Sequence, residues 1–387
     1  MNRRICVVTG SRAEYGLLRW VIADLQTAPD VELDVTVTGA HLSAEYGHTI
    51  QEIEADNVHI RTRIPTLFDG DTPLSISKSI AAGITGFAEA FALRRPDILV
   101  VLGDRFEVFA AAQAAVVANI AIAHIAGGDV TEGAIDEAFR HSITKMSHLH
   151  FVTNPLSAKR VVQLGEDPSR VYCVGATGVD SIRRLPLLGT EALQDSLGVT
   201  FRKRNFLVTF HPETLDPAHS IAHLEAVLLA MDDVDSQAGI FFTMPNADSG
   251  NRALASRIAR YITERPYAWA FTSLGQLRYL SLMKVADAVV GNSSSGIYEA
   301  PSLHRPTVNV GDRQTGRLKA ASVIDCAAER GAVRRALEAA LRLDCTGVVA
   351  CYGDGHASEQ ISRILRGVAE PALLLRKKFR MMDEAGK

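Results

Sequence analysis

Short apolar, β-branched runs alternate along this chain with longer stretches whose apolar residues recur at helical spacing. The short runs of the first half predict strands over Ile5–Thr9, Leu33–Thr38, Ile98–Leu102, Ile120–Ile125, His150–Thr153 and Val171–Val174. The longer stretches between them predict helices over Tyr15–Thr27, Glu107–Ala118 and Ile135–Ser147. Apolar strands that alternate with helices are typical of a parallel sheet covered on both faces.

The same alternation restarts in the second half of the chain. Its predicted strands are Phe206–Thr209, Ile240–Thr243, Ala288–Val290 and Thr307–Val310, and its predicted helices lie near Ile221–Met231, Asn251–Thr263 and Leu277–Val285. Between the halves, Gly175–Leu197 has no clean strand period and is interpreted as a linker. We therefore predict an α/β fold of two Rossmann-like, doubly wound lobes, with a ligand cleft at the carboxyl ends of their strands.

The predicted boundaries give an N-terminal lobe at residues 1–180 and a C-terminal lobe at residues 181–369. The basic tail at residues 370–387 contains Leu373–Leu375 and Phe379, which need cover from water. We expect this tail to pack back on the first lobe.

Charge and cysteine content narrow the class of protein. Lys and Arg total 41 against 44 Asp and Glu, a formal charge of −3, which argues against a general nucleic-acid binder. Five scattered cysteines without a CxxC pair indicate reduced thiols. The N-terminus lacks a signal-peptide core, and no apolar run approaches the ~18 residues of a membrane span. We expect a cytoplasmic protein without a membrane partner.

The turn after the first strand is a candidate anion site. In the segment Thr9–Gly16, Gly10 permits a tight turn and Arg12 adds a positively charged fork, which together suit a phosphate or diphosphate. An ordinary strand-to-helix turn with a surface Arg is the alternative. The segment is not GxGxxG, so a nicotinamide cofactor is weakly supported and no cofactor is expected.

A serine-rich turn follows a strand of the second half. Ser293–Ser295 offer three hydroxyls and backbone N–H groups to a phosphate, and Glu299 could accept hydrogen bonds from a ribose diol one turn into the next helix. The alternative is a Ser helix cap with a favourable first-turn Glu. Arg313 and Arg317 follow the next strand and reach the same edge of the sheet.

Two more strands of the second half end in polar residues. His211 could donate to a phosphate, and Asn246 could bond a phosphate or a base. A lone His is also common as a structural residue, so both interpretations of His211 stay open.

The first half supplies carboxylates at its strand ends. Asp104 follows a Gly, Asp129 follows the next strand, and Asp136 begins a helix on which Arg140 lies four residues later. A plain ion pair between Asp136 and Arg140 is possible. Several carboxylates opposite a phosphate-binding lobe favour acid–base chemistry on a sugar ring. No motif has metal-ligand spacing, so no catalytic metal is expected.

Six segments of the chain together resemble the hydrolysing UDP-N-acetylglucosamine 2-epimerases. They are TGSRAEYG at Thr9–Gly16, GDRFE at Gly103–Glu107, HIAGGDVTEGAIDEAFRH at His124–His141, FHPET at Phe210–Thr214, PNADSGNR at Pro245–Arg252 and GNSSSGIYEAP at Gly291–Pro301. The resemblance implies glycosyltransferase-B-like lobes, a homo-oligomer (dimer or tetramer), and hydrolysis of UDP-GlcNAc to N-acetylmannosamine and UDP through a glycal. The product would feed sialic acid or related nonulosonic acid synthesis.

The resemblance also implies roles for individual residues. Acid–base or ring-contacting roles fall on Asp104 and Asp136, with Arg105, His124 and Arg140 nearby. The residues expected to bind substrate are Arg12, His41, His211, Asn246, Ser293, Ser294, Ser295, Gly296, Glu299, Arg313 and Arg317.

One position departs from the family pattern. Some relatives read HIEGG where this chain has Ala126, and that carboxylate is thought to be catalytic. Asp129 could take over part of the task, Asp104 and Asp136 could suffice, or the site could be reshaped around a different sugar. Some homologues act on UDP-2,4-diacetamido-2,4,6-trideoxyglucose in legionaminic acid synthesis, so both UDP-sugars stay open as the substrate.

Three other functions compete with hydrolytic epimerisation. A non-hydrolysing epimerase would return UDP to the glycal instead of releasing it. A retaining glycosyltransferase on the same scaffold would transfer the sugar to an acceptor. A non-catalytic UDP-sugar sensor is favoured only by Ala126, and the carboxylates at Asp104, Asp129 and Asp136 argue against it.

Overall fold

The chain forms two compact α/β units in a computed structural model that describes residues 2–44, 46–68, 72–131, 135–212, 217–244 and 251–381. The first unit runs up to Asp129, resumes over Asp136–Asp180, and takes up the chain again from Tyr352. The second unit comprises Val130–Ile135 and Ser181–Cys351.

Each unit is built on one parallel sheet. The strands of the first are β1 (Arg3–Thr9), β2 (Val31–Thr38), β3 (Ile60–Ile64), β4 (Ile98–Leu102), β5 (Ala121–Ile125), β6 (Leu149–Val152) and β7 (Val171–Cys173), in the order β3-β2-β1-β4-β5-β6-β7. Those of the second are β8 (Asn205–Thr209), β9 (Gly239–Thr243), β10 (Ala268–Phe271), β11 (Ala288–Gly291), β12 (Thr307–Val310) and β13 (Val323–Cys326), in the order β10-β9-β8-β11-β12-β13. Successive strands are added outward in one direction up to β3 and in the other direction from β4, so the strand order reverses between β1 and β4. It reverses in the same way between β8 and β11. Doubly wound sheets bind ligands at such points. This confirms the predicted fold class.

Helices connect the strands. They are α1 (Arg12–Gln26), α2 (Ile50–Ala55), α3 (Pro73–Leu93), α4 (Phe106–Val117), α5 (Asp136–Met146), α6 (Pro155–Gln163), α7 (Thr177–Arg184), α8 (Thr190–Leu197), α9 (Pro217–Val234), α10 (Asn251–Thr263), α11 (Gly275–Val285), α12 (Ser295–Tyr298), α13 (Arg330–Ala340), α14 (Ala357–Gly367) and α15 (Pro371–Leu374). Within the ranges that the structure describes, no helix combines the length and the apolar character needed to cross a membrane.

Helix α1 shows how the sequence positions the first turn. The side chain of Ser11 caps the helix by accepting a hydrogen bond from the backbone N–H of Glu14. Leu18, Ile22 and Leu25 then lie on one face and are fully buried in the core beside the sheet. Complete burial of each such side chain stabilises the fold by roughly 1.5–3 kcal/mol. The turn at the carboxyl end of β1 is therefore fixed by both a cap and a packed helix.

The domain boundaries differ from those expected at the C-terminal end. The segment interpreted as a linker contains α7 and α8, and the chain passes into the second unit after Asp180. It returns at Tyr352, earlier than the residue 370 expected from the sequence. Helix α14 causes this difference because Ile361 and Leu365 are buried in the core of the first unit. The Asp180 carboxylate also accepts the first backbone N–H groups of that helix, at 3.1 and 2.6 Å.

The tail after α14 lies against the first unit as far as the structure describes it. Arg170 donates to the carbonyl of Leu374 at 2.7 Å, and Lys377 donates to the carbonyls of Lys145 and Ser147 at 2.8 and 2.6 Å. The ring of Phe379 lies on Gly165, where an added Cβ would come within 2.6 Å of it. These contacts fix the tail next to the end of α5.

Candidate active site

Asp104 lies at the carboxyl end of β4 and pairs with a buried arginine. Gly103 makes the turn with a φ of +73°, and the Asp104 carboxylate then meets the guanidinium of Arg140 from α5. Arg140 is 3% exposed and also donates, at 2.9 Å each, to a carboxylate oxygen of Glu137 and to the backbone carbonyl of Asp129. A guanidinium with three oxygen partners holds the carboxylate in one orientation. Asp136, the other predicted acid–base residue, opens the same helix.

His124 contacts the turn that carries Asp104. Its Nε2 lies 2.7 Å from the carbonyl of Gly103, and its Nδ1 lies 3.2 Å from the hydroxyl of Thr144. A carbonyl can only accept, so Nε2 carries the proton, while the hydroxyl of Thr144 beside Nδ1 also donates to the carbonyl of Arg140 at 3.0 Å. Burial lowers the pKa of His124 to about 3, which keeps the ring neutral near pH 7. This environment favours a positioning role for His124 over proton transfer.

Asp129 is buried among hydroxyl and amide donors. Its Oδ1 accepts from the hydroxyls of Thr153 and Ser157, at 2.7 and 2.5 Å, and from the amide of Asn154 at 3.4 Å. The residue is 4% exposed and ties β5 to the start of α6. These contacts argue against Asp129 as the replacement for the carboxylate missing at Ala126.

Ala126 lies directly beside the Asp104 turn. It follows β5, which pairs with β4 so that Leu102 lies opposite Ile125, and Gly103 donates its N–H to the carbonyl of Ile125 at 2.9 Å. Ala126 has a φ of +63°, a left-handed conformation that costs an L-residue roughly 1–2 kcal/mol. Its N–H donates to the carbonyl of Phe151 at 2.8 Å, so β6 holds this turn in place. The turn that carries Ala126 is therefore a backbone neighbour of the turn that carries Asp104, and the Ala126 side chain packs against the core of the first unit.

Glu107 and Glu14 lie inside the matched motifs but were given no role from the sequence, and both are buried near the end of β1. Glu107 has a side chain with no exposed area and binds Arg105 through two contacts of 3.2 Å. Glu14 accepts the N–H of Gly10 at 2.5 Å, and burial raises the pKa of Glu14 to about 8. The Ser-x-x-Glu spacing from Ser11 to Glu14, typical of a capping box, is the signal that could have revealed the second of them.

Arg12 and His41 belong to the same region of the first unit. Burial lowers the pKa of Arg12 below its usual range, and Glu52 opposes that shift. His41 is fully buried, with Nε2 3.0 Å from the hydroxyl of Thr9 and Nδ1 2.8 Å from that of Thr49. Burial lowers the pKa of His41 to about 4, so this histidine is neutral near pH 7. Both of its nitrogens are used inside the fold, which favours a positioning role.

The serine-rich turn of the second unit depends on a close backbone approach. Gly291 has a φ of +130°, and a Cβ there would lie 2.0 Å from the carbonyl oxygen of Thr209. Only glycine therefore fits where β11 ends beside β8. The helix after the serines, α12, has only four residues, so Glu299 directly follows its last residue, one turn after its start.

Asn292 joins three segments at this edge and was missed as a site residue. Its side chain accepts the N–H of His211 at 2.7 Å and donates to the carbonyl of His211 at 2.9 Å. Its own carbonyl accepts from the side chains of Gln314 and Arg313, at 2.7 and 3.2 Å. The Gly-Asn pair before the serines was the sequence signal. His211 and Arg313, both predicted to bind substrate, are brought together through Asn292.

Glu299 and Arg317 carry buried polar atoms without hydrogen-bond partners. These atoms are Oε2 of Glu299 and a terminal nitrogen of Arg317, counted over the part of the chain that the structure describes. Burial raises the pKa of Glu299 to about 8, although the charge of Arg317 acts in the opposite direction. The other nitrogens of Arg317 donate to the carbonyl of Val130 and the hydroxyl of Thr131, both at 2.8 Å. An acceptor and a donor are thus available for a polar ligand.

Asn246, expected to bind substrate, lies outside the described residues. Among the residues whose placement is described, no group of three or more His, Cys, Asp or Glu side chains could hold a metal ion.

The sequence is similar to proteins of one family. The profile described as UDP-N-acetylglucosamine 2-epimerase matches residues 23–366. A Campylobacter jejuni protein named GDP/UDP-N,N'-diacetylbacillosamine 2-epimerase (hydrolyzing) is 39% identical over 325 residues, or 84% of each chain. A Legionella pneumophila protein named UDP-N,N'-diacetylbacillosamine 2-epimerase (hydrolyzing) is 35% identical over 377 residues, covering 97% of this chain and 99% of the relative.

A solved structure has the same fold. The crystal structure of the UDP-GlcNAc 2-epimerase from Neisseria meningitidis, bound to UDP-GlcNAc, superposes with a TM-score of 0.80 over 94% of this chain and 99% of that chain. Its sequence identity is 18%, so this likeness concerns the fold alone. The profile match and the two relatives cover most of the sequence, and the chain belongs to the UDP-N-acetylglucosamine 2-epimerase family.

Proposed function

We propose that this hydrolysing UDP-sugar 2-epimerase acts on UDP-N,N'-diacetylbacillosamine, the sugar also written UDP-2,4-diacetamido-2,4,6-trideoxyglucose. The observation that carries the proposal is that Ala126 follows β5 beside the Asp104 turn, where its methyl group occupies less space than the glutamate of some relatives. A second acetamido group at C4 is larger than a hydroxyl and needs such room. Two relatives, at 39% and 35% identity, carry the name of this substrate.

The proposed reaction is an elimination followed by addition of water. A base removes the proton at C2 while the C1–O bond to UDP breaks, which gives a glycal with a double bond between C1 and C2. Water then adds its oxygen to C1, and a proton returns to C2 on the opposite face. The products are UDP and the free 2-epimer, 2,4-diacetamido-2,4,6-trideoxymannose. One water molecule is consumed in each turnover, and no redox step is involved.

We assign the proton transfers to Asp104 and Asp136. Asp104 is oriented by Arg140, and Asp136 opens the helix that carries this arginine. His124 is less suited because its pKa of about 3 keeps it neutral and because both of its nitrogens bond inside the fold. Two carboxyl groups can meet the need for one proton acceptor and one proton donor at C2.

We assign the nucleotide to the second unit. The hydroxyls of Ser293, Ser294 and Ser295 are hydrogen-bond donors suited to a diphosphate. Among the described residues, the unpartnered carboxyl oxygen of Glu299 suits a ribose hydroxyl, and the unpartnered nitrogen of Arg317 suits an anionic oxygen. Stabilising the negative charge on departing UDP lowers the barrier to elimination.

The biological setting follows from the proposed chemistry. A free 2-epimer with two acetamido groups is a precursor suited to nonulosonic acid synthesis of the legionaminic type. The homo-oligomeric state and the cytoplasmic location expected from the sequence stay predictions.

The substrate is tested by supplying each UDP-sugar separately at equal concentration and measuring released UDP together with the sugar product by NMR. We expect equimolar UDP and free 2-epimer, with kcat/KM at least about tenfold higher for the diacetamido sugar than for UDP-GlcNAc, since one buried group that fits or fails to fit is worth about 1–3 kcal/mol. An equal or higher value for UDP-GlcNAc would contradict the proposed substrate. An epimerised UDP-sugar without free UDP would contradict hydrolysis.

A pair of variants at Ala126 links that selectivity to its proposed cause. Ala126→Glu should lower kcat/KM for the diacetamido sugar more than for UDP-GlcNAc because the added carboxylate occupies the space assigned to the C4 substituent. Ala126→Gly is the matched control: it removes the left-handed strain, adds no volume, and should keep the wild-type preference. Identical changes with both substrates in the Glu variant would show that this position does not select the sugar.

A further inference from the structure

A line of hydroxyl groups crosses the carboxyl edge of the second sheet. It begins with Thr243 and Thr209, at the ends of neighbouring strands β9 and β8, whose hydroxyl oxygens are 2.6 Å apart. The side chain of Thr209 also interacts with the phenol of Tyr279 on α11 and acts to lower its pKa. The phenol donates to the hydroxyl of Ser295 at 2.8 Å, and Ser295 lies 3.0 Å from the hydroxyl of Ser293. Five hydroxyls therefore connect two strand ends to the proposed phosphate-binding serines.

The direction of the protons along this line follows from the donor count. Each hydroxyl has one proton to donate and can accept from a neighbour. The phenol of Tyr279 donates its hydrogen bond to Ser295. The hydroxyl of Ser295 can therefore donate either to Ser293 or to a ligand. If Ser295 donates to Ser293, then Ser293 must direct its own proton elsewhere. A phosphate oxygen is the strongest acceptor for such a proton because it is charged.

Tyr279 is held firmly enough to set this direction. Its ring packs against a core cluster of the second unit that includes Leu274 and Leu282. Burial raises the pKa of Tyr279 to about 12, so the phenol remains protonated and remains a donor at neutral pH. Hydrogen bonds in such a chain polarise one another, which strengthens the donors at its end.

We infer that Tyr279 is a positioning residue for diphosphate binding, which fixes the hydroxyls of Ser293 and Ser295 as donors toward the leaving UDP. The inference rests on the proposed binding of UDP by the second unit. Its mechanism is pre-organisation: the serine protons are already aimed before the ligand arrives, so less freedom is lost on binding. Tyr279 acts through the serines and need not touch the ligand.

The test compares Tyr279→Phe with Tyr261→Phe. Tyr261 is a matched control because its hydroxyl donates to Asp232 at 2.8 Å, between α10 and α9 and apart from the line of hydroxyls. Affinity for UDP is measured by calorimetry, and affinity for uridine, which lacks phosphate, by ligand-detected NMR. We expect Tyr279→Phe to weaken UDP binding about five- to tenfold, to leave uridine binding within about twofold of wild type, and Tyr261→Phe to change neither.

A second pair of variants covers the case in which Tyr279→Phe does not fold. Thr209→Val removes the hydroxyl that interacts with the phenol and should weaken UDP binding about two- to threefold, whereas Thr209→Ser keeps the hydroxyl and should keep wild-type affinity. Unchanged UDP affinity in folded Tyr279→Phe, or equal losses for UDP and uridine, would overturn the inference. So would an equal loss in Tyr261→Phe. Wild-type protein that binds no UDP would instead contradict the proposed function.

Discussion

Replacing Asp104 or Asp136 by Asn should lower kcat by roughly 10²–10⁴ while UDP affinity stays within about twofold of wild type. An amide keeps the shape of the side chain but neither accepts nor delivers a proton in the reaction. The nucleotide is assigned to residues of the second unit, so its binding should not depend on these carboxylates. The measurements are the initial rate of UDP release and the calorimetric affinity for UDP.

Asp129→Asn is the matched control for those two variants. This carboxylate follows the next strand of the same sheet, but its Oδ1 is held by Thr153, Asn154 and Ser157. We expect a lower melting temperature and a fall in kcat of less than about tenfold. A folded Asp129 variant that loses as much turnover as the Asp104 variant would show that Asp129 replaces the carboxylate missing at Ala126. Loss of UDP affinity in parallel with turnover would contradict a proton-transfer role for Asp104 and Asp136.

The second large effect concerns the buried carboxylate of Glu166, which secures the tail. Glu166 is 2% exposed, with Lys377 at 2.7 Å, His150 at 3.1 Å and Lys145 also in contact. Burial alone would raise the pKa of Glu166, but hydrogen bonds from His150, Lys145 and Lys377 outweigh it and lower the pKa to about 2. The ionised carboxylate is thus strongly favoured in the folded state.

The pH dependence follows from that lowered pKa. The unfolded chain has the ordinary value of 4.5, so the stabilisation is complete above pH 4.5 and is lost as pH falls toward 2. Glu166→Gln should lower the free energy of unfolding by about 3 kcal/mol at pH 7, and less than half of this difference should remain near pH 3. Urea unfolding of both proteins at several pH values measures the difference.

An exposed ion pair provides the comparison for Glu166. Asp233 and Arg330 form a pair on the surface, with side chains that are 28% and 55% exposed. Asp233→Asn should change stability little at any pH, because solvent and salt screen such a pair. A difference between wild type and Glu166→Gln that stays constant from pH 7 to pH 3 would contradict the account of the buried cluster.

Strands buried on both faces were predictable because their apolar residues are continuous. β4 and β5 were expected within a residue of their observed bounds. The three strands that sequence reasoning missed are β3, β10 and β13, all of which lie at sheet edges. β3 reads Ile-Arg-Thr-Arg-Ile. Charged residues alternate with the other residues of this strand because one of its sides faces away from the core. β3 therefore lacks the continuous apolar pattern that identified β4 and β5.

The motifs select candidate site residues, but they do not specify how those side chains pair. Motifs placed Asp104 and Arg140 in the same region, whereas their ion pair joins residues 36 positions apart and depends on how α5 packs. The return of α14 to the first unit was missed for the same reason: its partner, α1, lies more than 300 residues earlier in the sequence. The role of Asn292 depends on the hydrogen bonds of its side chain to the backbone of His211, which no local pattern specifies.

The most direct test of the proposed chemistry is the position of hydrogen in product made in D₂O. The reaction is run to partial conversion with UDP-N,N'-diacetylbacillosamine, and the free sugar is analysed by NMR and mass spectrometry. Elimination through a glycal returns a solvent-derived proton to C2, so we expect one deuterium at that carbon in the product. Product that keeps the original hydrogen at C2, without deuterium, would contradict the glycal route and the roles assigned to Asp104 and Asp136.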